Sequence, residues 1–255
     1  MAYRDVLVYL DPSAEAIKRL RFAADLAKAH GARLIAVDAS APAAAEGIDP
    51  LSATRRMFED ATGNAELKSV FVPADKRGNG DAFTHCVDLI IAPAPAGAAR
   101  DTIQHGVLDR ALVESGVPML ILPPDWTPGP VGANVVIAWN GGREALRAVH
   151  DAMPLLERAS KVTVFAFSSR PSALRASAMM LVHHLEAHGV PAQISDWTNT
   201  GDLTAVEALF ASLDTQDADL IVAGAFGHSR FYEGLFGGVS LDLIRQQTLP
   251  VLMSH

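Results

Sequence analysis

The residues best suited to chemistry lie in one segment, Gly224-Ala225-Phe226-Gly227, followed after nine further residues by Gly237-Gly238-Val239-Ser240. Glycine carries no Cβ, so the backbone amides of such a loop can approach an anion closely. A helix beginning near Val239 would add unpaired N–H groups and the positive end of its dipole. The chemistry this permits is phosphate binding. His228 and Arg230 fall inside the loop, where either can meet a phosphate or simply face solvent. The competing reading is a glycine-rich turn that only reverses the chain, because short glycine patterns are weak signals.

The histidines are the second group. His184 and His188 stand four apart on a predicted helix, with His183 beside them, a spacing that can turn two imidazoles toward one metal ion. No Glu completes a His-Glu-x-x-His pattern, and histidines just before Gly189 also suit the negative end of a helix dipole. No metal ligand is assigned. The chain contains no Walker A loop, no Gly-x-Ser-x-Gly elbow and no complete Rossmann glycine fingerprint, which removes the kinase, esterase and dehydrogenase readings. No catalytic residue is assigned either.

The elements that must position these residues occur twice. Val6-Leu7-Val8-Tyr9-Leu10-Asp11 is matched by Val135-Val136-Ile137-Ala138-Trp139-Asn140, and Asp88-Leu89-Ile90-Ile91-Ala92 by Asp219-Leu220-Ile221-Val222-Ala223. Gly116-Val117-Pro118-Met119-Leu120-Ile121 is matched by Thr248-Leu249-Pro250-Val251-Leu252-Met253. The pairs keep their order at offsets of about 129–132 residues, as a duplicated domain does. Between the copies, residues 123–130 contain four prolines, which sustain neither a helix nor a central strand. This gives a domain at 1–123, a linker at 124–133 and a domain at 134–255.

Short continuous apolar runs alternating with helix-length amphipathic stretches indicate parallel strands buried on both faces. Strands are expected near 4–10, 33–38, 68–72, 88–92 and 118–122, and again near 134–139, 161–167, 192–196, 219–224 and 250–254. Helices of the second copy are expected near 143–158, 171–188, 202–214 and 239–247. In the first copy, residues 73–87 leave little room for a crossover helix. The fold class is α/β, with two tandem doubly wound domains. Each has a mostly parallel five-stranded sheet of order 3-2-1-4-5 and a ligand crevice outside the carboxyl ends of the strands.

At the corresponding position the first copy reads Ala92-Pro93-Ala94-Pro95-Ala96-Gly97, then His105-Gly106-Val107-Leu108. Prolines remove donors where the second copy has glycines, so phosphate binding is expected only in the second. Asp11 is then expected to act as a turn or helix cap.

The pattern Gly-x2-Gly-x9-Gly with the following Val-Ser, placed after a strand that begins Asp-Leu-Ile-Val, resembles the ATP-binding signature of universal stress proteins. With Gly-His-Ser-Arg at 227–230 and the closing Pro-Val-Leu-Met-Ser-His, the chain is similar to tandem bacterial members of that family. The resemblance implies nucleotide-binding roles for Asn140, Phe167, Gly224, Gly227, Gly237, Gly238, Val239 and Ser240, to which the loop position adds Arg230. It implies ATP or another adenine nucleotide as ligand, with Mg or Mn. Asn140 stands where the family usually has Asp, which keeps a hydrogen-bonding side chain but removes a charge. Gly238 replaces a usual Ser or Thr and so removes one hydroxyl.

The net charge of −8 disfavours nucleic acid and anionic membranes as partners, so an anionic ligand must be held by local donors. A single cysteine, Cys86, and the absence of an apolar run of about 20 residues or a secretion signal give a cytoplasmic expectation. The expected function is a stress-associated regulatory binder of nucleotide. The alternatives are a slow ATPase or phosphotransferase, or a scaffold with degenerate sites. The two halves are expected to pair as an intramolecular pseudo-dimer through their fifth strands, with a homodimer of chains as a further step.

Overall fold

Runs such as Asp5–Leu10, apolar at nearly every position, lack the polar face of a surface strand and have to be covered on both sides. The computed structural model describes residues 2–39, 50–63, 67–73, 84–94, 112, 114–166, 171–195, 203–225 and 238–255. The chain divides into two units, Met1–Pro128 and Gly129–His255.

In the first unit, strands β1 (Asp5–Leu10), β2 (Arg33–Asp38), β3 (Ser69–Val72), β4 (Leu89–Pro93) and β5 (Met119–Leu122) lie in the order β3-β2-β1-β4-β5. All neighbours in this unit are parallel, with Val6 opposite both Leu34 and Leu89. Helix α1 (Ala14–His30) starts at Ser13, whose hydroxyl accepts from the Ala16 amide at 3.1 Å. It ends at Gly31, whose φ of 63° lets its amide close on the carbonyls of Ala27 and Lys28. The buried face of α1 is made mostly of alanines with Leu20, which lets it lie close to the sheet. Helix α2 (Pro50–Thr62) also belongs to this unit. The expected loss of a helix between β3 and β4 falls largely on residues 74–83, outside the described residues.

In the second unit, strands β6 (Asn134–Trp139), β7 (Lys161–Ala166), β8 (Ala192–Ile194), β9 (Leu220–Gly224) and β10 (Val251–Ser254) lie in the order β8-β7-β6-β9-β10, again all parallel. Relative to its own first strand, each unit therefore has the order 3-2-1-4-5. Helix α3 (Arg143–Leu156) ends two residues earlier than expected, with Pro154 in its last turn. Helix α4 (Pro171–Ala187) is followed by Gly189 at φ 77°. Helix α5 (Ala205–Gln216) begins with a capping box: the Glu207 carboxylate accepts from the Thr204 amide and hydroxyl, both at 2.8 Å, and the Glu207 amide donates to the Thr204 hydroxyl. Helix α6 (Gly238–Gln246) precedes β10.

The aspartates that marked the repeat have a structural role. Asp88 accepts from the amides of Arg4 and Asp5 at 2.6 and 3.0 Å, and returns its own amide to the Asp5 carbonyl. Asp219 accepts from Gly132, Ala133 and Asn134 and donates its amide to the Asn134 carbonyl. Each ties the start of the fourth strand of its unit to the start of the first.

Candidate functional site

From β6 the second unit's chain runs to β7 and β8 on one side, then returns to β9 on the other. The point between β6 and β9 is thus the topological switch, where a crevice opens at the carboxyl ends. Side chains there alternate between faces. Trp139 turns toward α4, and its Nε1 donates to Ser177 Oγ at 3.1 Å. Ala138 and Phe165 line a cavity of about 100 Å³ together with Val206 and Leu209 of α5 and Leu243 of α6. Asn140, Gly224 and Ser240 border the same cavity.

Asn140 closes the end of β6. Its Oδ1 accepts from the Gly142 amide at 2.8 Å, in an Asx turn that sets the start of α3 and leaves Nδ2 to donate toward the crevice or to water. Ser240 is buried in the first turn of α6, and Gly238 and Val239 are its neighbours in that turn. Their amides are among those an α-helix leaves without an intrahelical acceptor. Ala205 at the start of α5 also borders the cavity, so two helix N-termini face it and favour negative charge there. The capping box occupies part of the α5 donor set, and the backbone and hydroxyl donors of Thr204 hold the Glu207 carboxyl below its ordinary pKa.

Gly224 is glycine for a reason other than anion binding. A Cβ there would lie 2.5 Å from the Ala145 nitrogen and 2.6 Å from the Glu144 carbonyl carbon, inside the backbone of α3. Asn140, Gly224 and Ser240 border this cavity, and Gly238 and Val239 share the helical turn of Ser240. Phe167, Gly227, His228, Arg230 and Gly237 lie outside the described residues.

The first unit has a larger crevice, of about 450 Å³, on the side of α1, where Pro93 occupies the place that Gly224 has in the second. Lys18, Arg19, Asp11, Ser13 and Trp126 line it. Asp11 accepts from the Ser13 amide at 2.9 Å and from the Arg19 guanidinium at 2.7 Å, while Arg19 Nε donates to the Tyr9 carbonyl at 2.9 Å. Nothing in the local sequence pointed to the buried Arg19, which stands eight residues after its partner, on the helix that Asp11 precedes. Burial pushes the Asp11 carboxyl up, but the Ser13 hydrogen bonds and the Arg19 charge outweigh it and hold the pKa below the ordinary value. A depressed folded pKa contributes stability that is present above the unfolded value, about 3.9, and is lost as pH falls through the folded value. Asp11→Asn is therefore expected to show a shallower decline of its urea midpoint below about pH 4 than the parent chain. Parallel declines in the two proteins would remove Asp11 from the acid response.

On the α3 and α4 side of the second unit, His150 approaches His184, with Nε2 atoms 3.3 Å apart. The ring of His188 stands 4.8 Å from that of His184, centroid to centroid. Burial, then the neighbouring His188 and His150, lower the His184 pKa. His150 escaped the sequence reading because it lies 34 residues away on another helix. Among the described residues, no group of three or more His, Cys, Asp or Glu side chains is arranged to hold a metal ion, and no helix is long and apolar enough to cross a membrane.

Residues 2–104 match the model of the universal stress protein family. No curated protein matches the chain. Among solved structures, a universal stress protein from Archaeoglobus fulgidus DSM 4304 is similar with a TM-score of 0.65 at 18% identity, covering 98% of this chain and 95% of that one. A structure from Pseudomonas aeruginosa UCBPP-PA14 bearing the same family name gives 0.62 at 16% identity, covering 99% and 93%. A functionally unknown protein from Pseudomonas aeruginosa PAO1 gives 0.61 at 14% identity, covering 99% and 92%. At these identities the likeness is one of fold, along the whole chain.

Proposed function

We propose that the chain, whose residues 2–104 match the universal stress protein family model, is a stress-associated regulatory protein that binds an adenine nucleotide in its second unit. The observation that carries this reading is the convergence of Asn140, Gly224, Ser240 and the N-terminus of α6 on one cavity at the switch point of the sheet.

The residues fit such a ligand by type. Phe165, Val206, Leu209 and Leu243 offer an apolar surface for a flat base, and Asn140 offers an amide at its edge. The first-turn amides of α6 offer donors for a phosphate. The cavity of about 100 Å³ is smaller than the roughly 300 Å³ at which ligand pockets begin, so the described residues form part of the proposed site. Asn140 is neutral, so Mg or Mn would be held through the phosphates and not by this side chain. The described lining carries no carboxylate, imidazole or amine, which favours a binder over the ATPase or phosphotransferase reading.

Titration calorimetry of nucleotide-stripped protein with ATP, ADP and AMP is expected to show one site per chain for at least one of them. Gly227→Val combined with Gly237→Val is expected to abolish that binding while circular dichroism stays unchanged, and no phosphate release above background is expected. Silence with all three nucleotides, or unchanged affinity in the double variant, would overturn the reading.

A further inference from the structure

None of His150, His184 and His188 lines the cavity at the switch point of the sheet. His150 sits mid-way along α3 and is exposed, and His184 sits in the last turn of α4. The first half of α4 meets the end of β6 and the turn that leads into α3. Trp139 Nε1 bonds Ser177 of α4, and Gly141, just before α3, lies so close that a Cβ on it would stand 3.4 Å from Ser177 Oγ and 3.6 Å from Leu174. His150 and His184 are each carried by a helix and not by a loop.

The ring centroids of His150 and His184 are 5.4 Å apart, against 3.3 Å for their Nε2 atoms, so the two nitrogens face each other. Two imidazole nitrogens bound to one tetrahedral zinc at about 2.0–2.1 Å stand roughly 3.3–3.4 Å apart. Arg147, one turn before His150, is paired with Asp151 at 2.8 Å.

We propose that His150 and His184 are two ligands of a surface site for a divalent transition metal of the zinc class, with His188 the third ligand and water the fourth. Three side chains do not yet converge on one point. His188 is exposed and follows α4 immediately, so a change of side-chain rotamer can bring its ring to the other two. The bland alternative for the pair is an N–H···N hydrogen bond between neutral rings, which needs no metal.

The test is calorimetric titration of tag-free, full-length chain with zinc chloride, repeated with cobalt(II) to read the visible absorption of a four-coordinate site. The expected result is one zinc per chain, with affinity falling at least about tenfold in His150→Gln and in His184→Gln. His188→Gln is expected to weaken binding as well, and His85→Gln, in the other unit, to leave it unchanged. Glutamine preserves a hydrogen-bonding group, so a pair that only hydrogen-bonds would not produce this pattern. No zinc uptake, or uptake unchanged in His150→Gln and His184→Gln, would overturn the proposal. Neither readout involves nucleotide.

Discussion

Replacing Gly224 by alanine is expected to destabilise the second unit by about 3 kcal/mol, at the upper end of what overpacking a close-packed site costs. The added Cβ would meet the Ala145 nitrogen at 2.5 Å, the Glu144 carbonyl carbon at 2.6 Å and the Ala145 Cα at 2.9 Å. All three are backbone atoms of α3, which cannot turn aside as a flexible side chain can. Relief requires α3 to move off β9, and the small buried residues Ala145, Ala148 and Ala152 show how closely it lies against the sheet. Gly31→Ala is the control. That glycine has a φ of 63° but nothing within 4 Å of its missing Cβ, so only the left-handed backbone strain of about 1 kcal/mol applies. Urea unfolding of both variants separates the two costs. A Gly224→Ala loss no greater than that of Gly31→Ala would mean that α3 yields and the close approach is not rigid.

This contact also shows what the sequence could and could not reveal. The strands were legible because parallel strands covered on both faces are continuous apolar runs, as at Val6–Leu10 and Leu220–Ala223, and their order followed from the doubly wound pattern of alternating strands and helices. The position of the crevice followed from the sheet order. The reason for Gly224 did not. A glycine after a strand reads equally as an anion loop, a turn or a packing contact, and only the layer above decides. The partnership of Asp11 with Arg19 was hidden for the same reason. So was that of His150 with His184, since neither residue of such a pair changes the local periodicity of its own element. At Asn140 the pattern marked the residue, while its observed bond, to the Gly142 amide, is that of a helix-start turn.

Asp219→Ala is expected to cost about 3 kcal/mol, because it removes the acceptor for three backbone donors at once. The Gly132 amide reaches Oδ1 at 2.8 Å, and the amides of Ala133 and Asn134 reach Oδ2 at 3.0 and 3.1 Å. No methyl group can accept from these amides. They sit partly buried at the entrance to β6, so the loss is that of unsatisfied donors and not merely of three bonds exchanged for water. The charge is not what the site needs. Burial pushes the Asp219 carboxyl up despite the downward pull of the Asn134, Gly132 and Ala133 amides, so the folded chain bears a cost for keeping it ionised. Asp219→Asn removes that cost. With its oxygen in place of Oδ2 it still accepts from Ala133 and Asn134 and loses only Gly132, so about 1 kcal/mol is expected. Asp88→Ala removes the acceptor for two amides at an exposed site in the first unit, where water can replace it, and is expected to cost about 1 kcal/mol. Urea unfolding of the three variants, with hydrogen exchange on the amides of Ala133 and Asn134, reads the order Asp219→Ala, then the two milder changes. Equal losses for Asp219→Ala and Asp219→Asn would place the effect in the charge and overturn the assignment of Asp219 as a backbone acceptor.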